Sequence, residues 1–246
     1  MWDSPRQLNA LALLLALAAA TMLGLGAVAW AVRQPVFALH RVVIDGNLAR
    51  ASSAHLERVI REELKGTFFT LSLDAARVSL QRVPWVKSVA LRRQWPDRLE
   101  ITIAEHQPLA RWNDAGLVDT EGEVFSAEFD GELPQFIGPD GRSSEIARQF
   151  REFGAALRPR SLAIAELRLS PRGGWQLRTT GGAALAIELG RSVPGERLSR
   201  FVSYHARTVG ALGRAGTRVD YVDLRYRNGF AVRVTAPAEK SPRKSG

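Results

Sequence analysis

The chain has 246 residues, 46% of them hydrophobic and 24% charged. That composition excludes wholesale disorder and leaves room for one large domain or two small ones. There is no cysteine, which excludes disulfide frameworks, thiolate zinc sites and thiol nucleophiles but is compatible with either redox compartment. With 34 basic against 25 acidic residues the formal charge is +9, a balance suited to nucleic acid, acidic lipid headgroups or an acidic protein. Aromatics are only 8%, so no stacking surface for single strands is obvious.

Residues 8–32 carry no charged side chain. As a helix this run would be about 37 Å long, enough to cross a hydrocarbon core of about 30 Å. Trp30 lies near its far end, where an indole prefers the interface, and Arg33 and Pro35 stop it. Its length favours an uncleaved anchor over a signal peptide, although Ala27-Val28-Ala29 offers a small-x-small site. A buried core helix fits poorly, since so long an apolar run reads as membrane-spanning. Charge gives little orientation: Arg6, offset by Asp3, precedes the span, and Arg33 and Arg41 follow it. Long C-terminal domains translocate largely regardless of charge.

Residues 39–45 read as a strand, with Gly46-Asn47 turning the chain. Ser52 or Ser53 can cap a helix whose Leu56, Val59, Ile60 and Leu64 share one face, and Gly66 ends it. A second helix carries Leu73, Ala76, Leu80 and Val83 on one side and stops at Pro84. Residues 86–93 read as a strand, Trp95-Pro96-Asp97 as a turn, and Leu99, Ile101 and Ile103 as the inner face of the next strand. The order strand, helix, helix, strand, strand predicts a small three-stranded sheet covered on one face by two helices.

After Glu105 short strands alternate with turns, at 109–112, 117–119, 123–125 and 133–137. The spacing predicts a helix over 144–157, strands over 164–170, 175–179 and 184–189, and a second helix over 196–212. Residues 219–226, a turn at Asn228-Gly229, and 230–235 close as a hairpin. The expected second domain is an antiparallel sheet flanked by helices, so the fold class is α+β. Residues 236–246 are rich in Pro, Lys and Ser and read as a disordered tail.

No catalytic, cofactor-binding or metal-binding constellation emerges. The histidines (His40, His55, His106, His205) are scattered without metal-ligand spacing. No G-x-S-x-G elbow, Walker loop or dinucleotide fingerprint is present. Asp119, Glu121 and Glu123 suggest a calcium loop, but Val124 stands where an EF-hand needs Gly, and hairpin turn residues are the better account. Trp85, Trp95 and Trp112 read as core or turn packing, and Arg92, Arg93 and Arg98 as a solvated face.

The run from Pro84-Trp85-Val86-Lys87 through Gln94-Trp95-Pro96-Asp97 to Ala104-Glu105 closely resembles the bacterial FtsQ/DivIB family of cell-division proteins. So do Pro108-Leu109-Ala110-Arg111-Trp112, Val118-Asp119 through Gly122-Glu123-Val124-Phe125, and Tyr221-Val222-Asp223-Leu224-Arg225-Tyr226 before Asn228-Gly229. The resemblance covers nearly the whole chain, and only the N-terminal tail is shorter than in many relatives. It implies a short cytoplasmic tail (1–7), a transmembrane helix (8–32), a POTRA domain (37–106), a β domain (107–235) and the disordered tail (236–246). It further implies a single-pass, type II protein of the inner membrane with its C-terminal domain in the periplasm at the division septum. Such a protein is no enzyme and takes no cofactor or small-molecule substrate. It is an essential divisome scaffold that binds FtsB and FtsL and links early and late division proteins for septal cell-wall synthesis.

Residues 230–235 have no later strand to cover one side. A free strand edge is a template for another chain, whose backbone bonds supply affinity and whose alternate side chains supply selectivity. The resemblance implies that FtsB docks here. Tyr226 is then the aromatic anchor, and Asn228, Gly229, Phe230, Ala231, Val232 and Val234 form the docking edge. Arg172 and Arg225 are the candidates for pairing with an acidic partner residue. The opposing reading is a self-sufficient hairpin whose Tyr226 only packs in the core. Other functions weighed are a POTRA-containing transport or outer-membrane assembly factor, a periplasmic cell-wall enzyme and a membrane-tethered nucleic-acid binder. The first needs a long C-terminal barrel, the second a catalytic constellation, and the third rests on charge alone.

Overall fold

The fold is given by a computed structural model that describes residues 5–46, 48–114, 116–180 and 184–235. Asn47 of the expected first turn and the tail 236–246 lie outside the described residues. The Leu- and Ala-rich N-terminal run forms one helix, α1 (Pro5–Ala31). None of its span Asn9–Ala31 is buried against the rest of the protein. A 3-10 turn at Pro35–Phe37 follows. The chain divides into two compact units, Met1–Glu105 and His106–Gly246.

In the first unit β1 (Arg41–Asp45) is followed by α2 (Ser53–Glu63) and α3 (Leu73–Gln81), then β2 (Val86–Gln94) and β3 (Arg98–Glu105). Each helix starts at a serine: Ser52 Oγ accepts the His55 N–H at 3.4 Å and Ser72 Oγ accepts the Ala75 N–H at 3.3 Å. Such caps satisfy one of the amides a helix start leaves unpaired. α2 leaves helical geometry at Leu64, two residues before the expected stop at Gly66, because the Lys65 N–H turns back to the Glu63 carbonyl. The strands order β1-β3-β2, with β1 parallel and β2 antiparallel to β3. Leu99, Ile101 and Ile103 of β3 point inward at period two, beneath Leu56, Ala76 and Leu80 of the helices. Trp85 is buried, as is Trp112 of the second unit, while Trp95 stands exposed in the β2–β3 turn. Arg93, expected on a solvated face, instead donates from Nη2 to the Leu71 carbonyl.

Two features close this unit. The Glu105 carboxylate, at the end of β3, accepts backbone N–H groups from Ala49, Arg50 and Ala51, the last at 2.7 Å. Gly46, at φ +139°, lies so close to β3 that a Cβ would stand 2.3 Å from the Ile103 carbonyl oxygen. No other residue fits there without moving backbone.

The second unit contains β4 (Pro108–Trp112), β5 (Gly116–Asp119), β6 (Val124–Phe125), β7 (Gln135–Ile137), α4 (Ser143–Leu157), β8 (Ala163–Leu169), β9 (Trp175–Thr180) and β10 (Ala186–Gly190). α5 (Pro194–Tyr204), α6 (Val209–Arg214), β11 (Arg218–Asp223) and β12 (Ala231–Thr235) complete it. All nine strands form one sheet, in the order β12-β11-β10-β9-β8-β7-β4-β5-β6. The α+β class holds, but the sheet is mixed rather than purely antiparallel: β10–β11, β7–β8 and β4–β7 pair in parallel. Connection length explains this. β7 reaches β8 through α4, and β10 reaches β11 through α5 and α6, and such crossovers return the chain in the same direction. Phe136, Phe153 and Phe201 are fully buried between sheet and helices, with the Phe153 ring edge-on to Trp175 at 5.9 Å.

The single helix expected over 196–212 is broken. α5 already starts at Pro194, suited to a first helical turn, and a 3-10 turn over His205–Arg207 separates it from α6. The break falls at Thr208, whose backbone leaves helical geometry (φ −116°, ψ −93°), while its N–H and hydroxyl still reach the Tyr204 carbonyl at 3.1 and 2.9 Å. β11 ends at Asp223 rather than Tyr226, because the Asp223 carboxylate accepts the Arg225 N–H at 3.0 Å and turns the chain out of the sheet.

Candidate functional site

β12 is the end strand of the nine-stranded sheet, paired with β11 on one side only among the described residues. Asp223↔Ala231, Val222↔Val232 and Val219↔Val234 set its register. Beside it, between the strand and the α5–α6 helices, lies a groove of about 980 Å³. Phe230 and Val232 line its strand side, Tyr204, Thr208 and Leu212 its helix side, and Asn228 and Gly229 one end. Three guanidinium groups, from Arg200, Arg207 and Arg227, stand around it. The site is therefore a strip of backbone hydrogen-bonding groups alongside an apolar trough with a cationic rim.

The residues singled out in the sequence take distinct places here. Tyr226 is 57% exposed, outside any strand, so it does not pack in the core. Asn228, Gly229, Phe230 and Val232 come together at the groove. Phe230 is not free for a partner along its whole ring: it precedes the strand, is half-buried, and meets Phe201 edge-on at 5.6 Å. Ala231 is exposed, and Val234, on the Phe230–Val232 face by strand alternation, is 47% exposed.

Arg225 is already engaged. Its Nη2 lies 2.7 Å and its Nε 3.1 Å from Asp223 Oδ2. The guanidinium holds the buried Asp223 carboxyl below its ordinary pKa, and Asp223 in turn raises that of Arg225. Arg172 is exposed in the turn between β8 and β9 and does not line the groove. β9 stands three strands from β12, roughly 14 Å at the usual strand spacing.

Arg200, Arg207 and Arg227 were not singled out by the sequence. Arg200, Tyr204, Arg207 and Ala211 follow one another at helical spacing, and that stripe was the available signal. It is the face opposite the buried Leu198, Phe201 and Val209. Arg200 Nη1 also donates to the Arg227 carbonyl at 2.6 Å, tying α5 to the β11–β12 turn.

A second cluster brings together His106, Asp119 and Glu123, whose possible ligand atoms lie within 4.8 Å of one another. Its polar atoms already serve the fold. Asp119 Oδ2 sits 2.9 Å from His106 Nδ1, and Asp119 Oδ1 accepts the Glu121 and Glu123 N–H groups at 2.9 Å each. The His106 ring lies flat on Phe125, with centroids 4.2 Å apart. The carboxylate thus closes the β5–β6 hairpin, as turn chemistry predicts.

Comparison with known proteins covers both units. The profile of the POTRA domain, FtsQ-type, matches residues 37–106, and that of Cell division protein FtsQ/DivIB, C-terminal, matches residues 110–225. The chain is 36% identical over 241 residues to Cell division protein FtsQ of Burkholderia pseudomallei, covering 95% of this chain and 94% of that protein. It is 37% identical over 241 residues to the protein of the same name from Nitrosospira multiformis, covering 96% and 100%. With that of Escherichia coli it shares 37% over 172 residues, covering 68% and 62%.

Proposed function

This chain belongs to the FtsQ/DivIB family of cell-division proteins, a family of scaffolds and not of enzymes, and from that membership we propose that it works by lending its last strand to a partner. β12 pairs on one side only among the described residues, and this observation carries the reading. A segment in extended conformation adds to the free edge, and its alternate side chains enter the groove beside Phe230 and Val232. Apolar side chains fit that trough, and acidic ones fit the rim of Arg200, Arg207 and Arg227. FtsB, together with FtsL, is the partner, and FtsB supplies the added segment. Tyr226 stands outside the core, where an aromatic anchor is effective. Arg225 acts indirectly, by fixing the loop before Asn228 through Asp223. Arg172 reaches only a partner that extends past the strand end.

The unburied apolar helix α1 supports a membrane anchor. In this reading the protein is a single-pass, type II component of the inner membrane, with both folded units in the periplasm at the septum. There it links early and late division proteins for septal wall synthesis.

The test is co-purification of the soluble portion, residues 34–246, with FtsB–FtsL. Tyr226→Ala and Arg207→Glu alter exposed side chains, so both variants should stay folded and lose most of the partner. Undiminished binding by both would remove the edge-strand mechanism.

A further inference from the structure

We infer that the first unit stands on the bilayer through an aromatic foot, made from the Pro35–Phe37 turn and the α2–α3 loop and seated in the interfacial layer of the membrane that α1 enters. This rests on the membrane-anchor reading of α1. The foot is bonded to the helix end. Thr67 Oγ1 donates to the Val32 carbonyl at 2.7 Å, one residue past the last of α1. The Phe68 N–H donates to the Phe37 carbonyl at 2.7 Å, and Ala38 pairs with Thr67 in an antiparallel bridge. The loop carrying Phe68 and Phe69 is therefore held at the level where α1 ends.

What the loop presents there is apolar. The Phe69 ring stands edge-on to Phe37 at 5.2 Å and to Phe68 at 5.3 Å. Yet Phe69 is 50% exposed, Val36 74%, and Trp30 in the last turn of α1 69%. Single exposed apolar residues need no explanation, but an aromatic group fixed beside the end of a lipid-length helix does. An indole such as Trp30 favours the headgroup level, and phenyl rings seat just beneath it, at the boundary between headgroups and acyl chains. Arg33 and Lys65 are exposed in the same two segments, suited to anionic headgroups. The occupant is thus lipid rather than a protein partner, because the patch continues from the segment that itself faces lipid. The foot limits how far the first unit can swing about the end of its anchor.

The chain has no cysteine, so single-cysteine variants take one spin label each. The full chain is placed in nanodiscs of phosphatidylethanolamine and phosphatidylglycerol, with labels at Leu14→Cys, Val36→Cys, Phe69→Cys and, on α3 of the same unit, Val78→Cys. Accessibility to oxygen and to a water-soluble nickel chelate is read by power saturation. Positions 36 and 69 should show several-fold less nickel accessibility than 78, with oxygen accessibility retained, and position 14 should read as lipid core. If 36 and 69 match 78 while 14 reads as lipid, the foot is overturned and the anchor stands. A label at 69 shielded from both reagents sits against protein and also overturns the foot. If position 14 reads as water, the anchor reading itself fails.

Discussion

Arg225 grips Asp223 with its own backbone N–H and with two guanidinium nitrogens, the shortest contact being 2.7 Å. The pair sits where β11 ends, and it sets the path of the chain toward Asn228 and Gly229. Because Arg225 depresses the Asp223 pKa below its ordinary 3.8, the pair's contribution to stability is complete above that value. It is lost as pH falls through the lower, folded-state pKa. Asp223→Asn should therefore destabilise the second unit at pH 7, and the difference from wild type should vanish in strong acid. Unfolding in urea at a series of pH values measures this. A difference independent of pH would contradict it.

His205 also loses stability on acidification, but for a different reason. Burial, and secondly the charge of Arg160, lower its pKa from 6.5. The fold therefore keeps this ring neutral, edge-on to Phe201 at 5.4 Å. The unfolded chain binds the proton first, so stability falls as pH drops below about 6.5. Thermal melts of the soluble portion between pH 7.5 and about 5 should show this decline, and His205→Leu should flatten it. An equal decline in the variant would show that His205 is not the group responsible.

Glu105 takes three backbone amides onto one buried carboxylate. Bonds of this kind are worth about 1.5–3 kcal/mol each, and removing the acceptor leaves the donors unpaired. Glu105→Ala should cost the first unit roughly 2–4 kcal/mol. The amides of Ala49, Arg50 and Ala51 should lose hydrogen-exchange protection first. Unchanged protection there would mean that the carboxylate is not what orders this turn.

Phe201 joins the core to the proposed docking edge, since its fully buried ring supports Phe230 at 5.6 Å. Phe201→Ala should cost about 3–5 kcal/mol, and Phe201→Leu less. Both should also weaken capture of the proposed partner, because Phe230 loses the surface that positions it. Denaturation and binding, measured on the same preparations, separate the two effects. Intact affinity in a destabilised Phe201→Leu variant would break the link.

The first unit was nearly all legible in the sequence, for local reasons. Serine caps, Leu99-Ile101-Ile103 alternation and the stop at Pro84 each act within a few residues. The second unit was less so. The break at His205–Arg207 turns on the non-helical backbone of Thr208, a choice that helical periodicity does not reveal. The parallel pairing of β10 with β11 depends on where the chain lands after two helices. Asn228, Gly229 and Val232, which the structure gathers at one groove, stand out in the sequence because a turn and a final strand are sequence-local. Arg200 and Arg207 were missed because they sit a helix away and approach the edge only through the crossover. Arg225 was read as open for pairing because nothing in the sequence says that Asp223, two residues earlier, folds back on it.

An end strand such as β12 is also a hazard. Among the described residues it pairs on one side only, so a second copy arriving edge to edge would meet a free edge, and unchecked stacking of that sort leads to fibres. The three guanidinium groups beside the strand make such self-pairing a meeting of like charges, whereas Arg233 of the strand itself already pairs with Asp220 of β11 at 3.4 Å. If the proposed docking holds, the cationic border would double as a sentry, admitting acidic visitors and turning away twins. Neutralising it should make the protein clump when its companion is scarce.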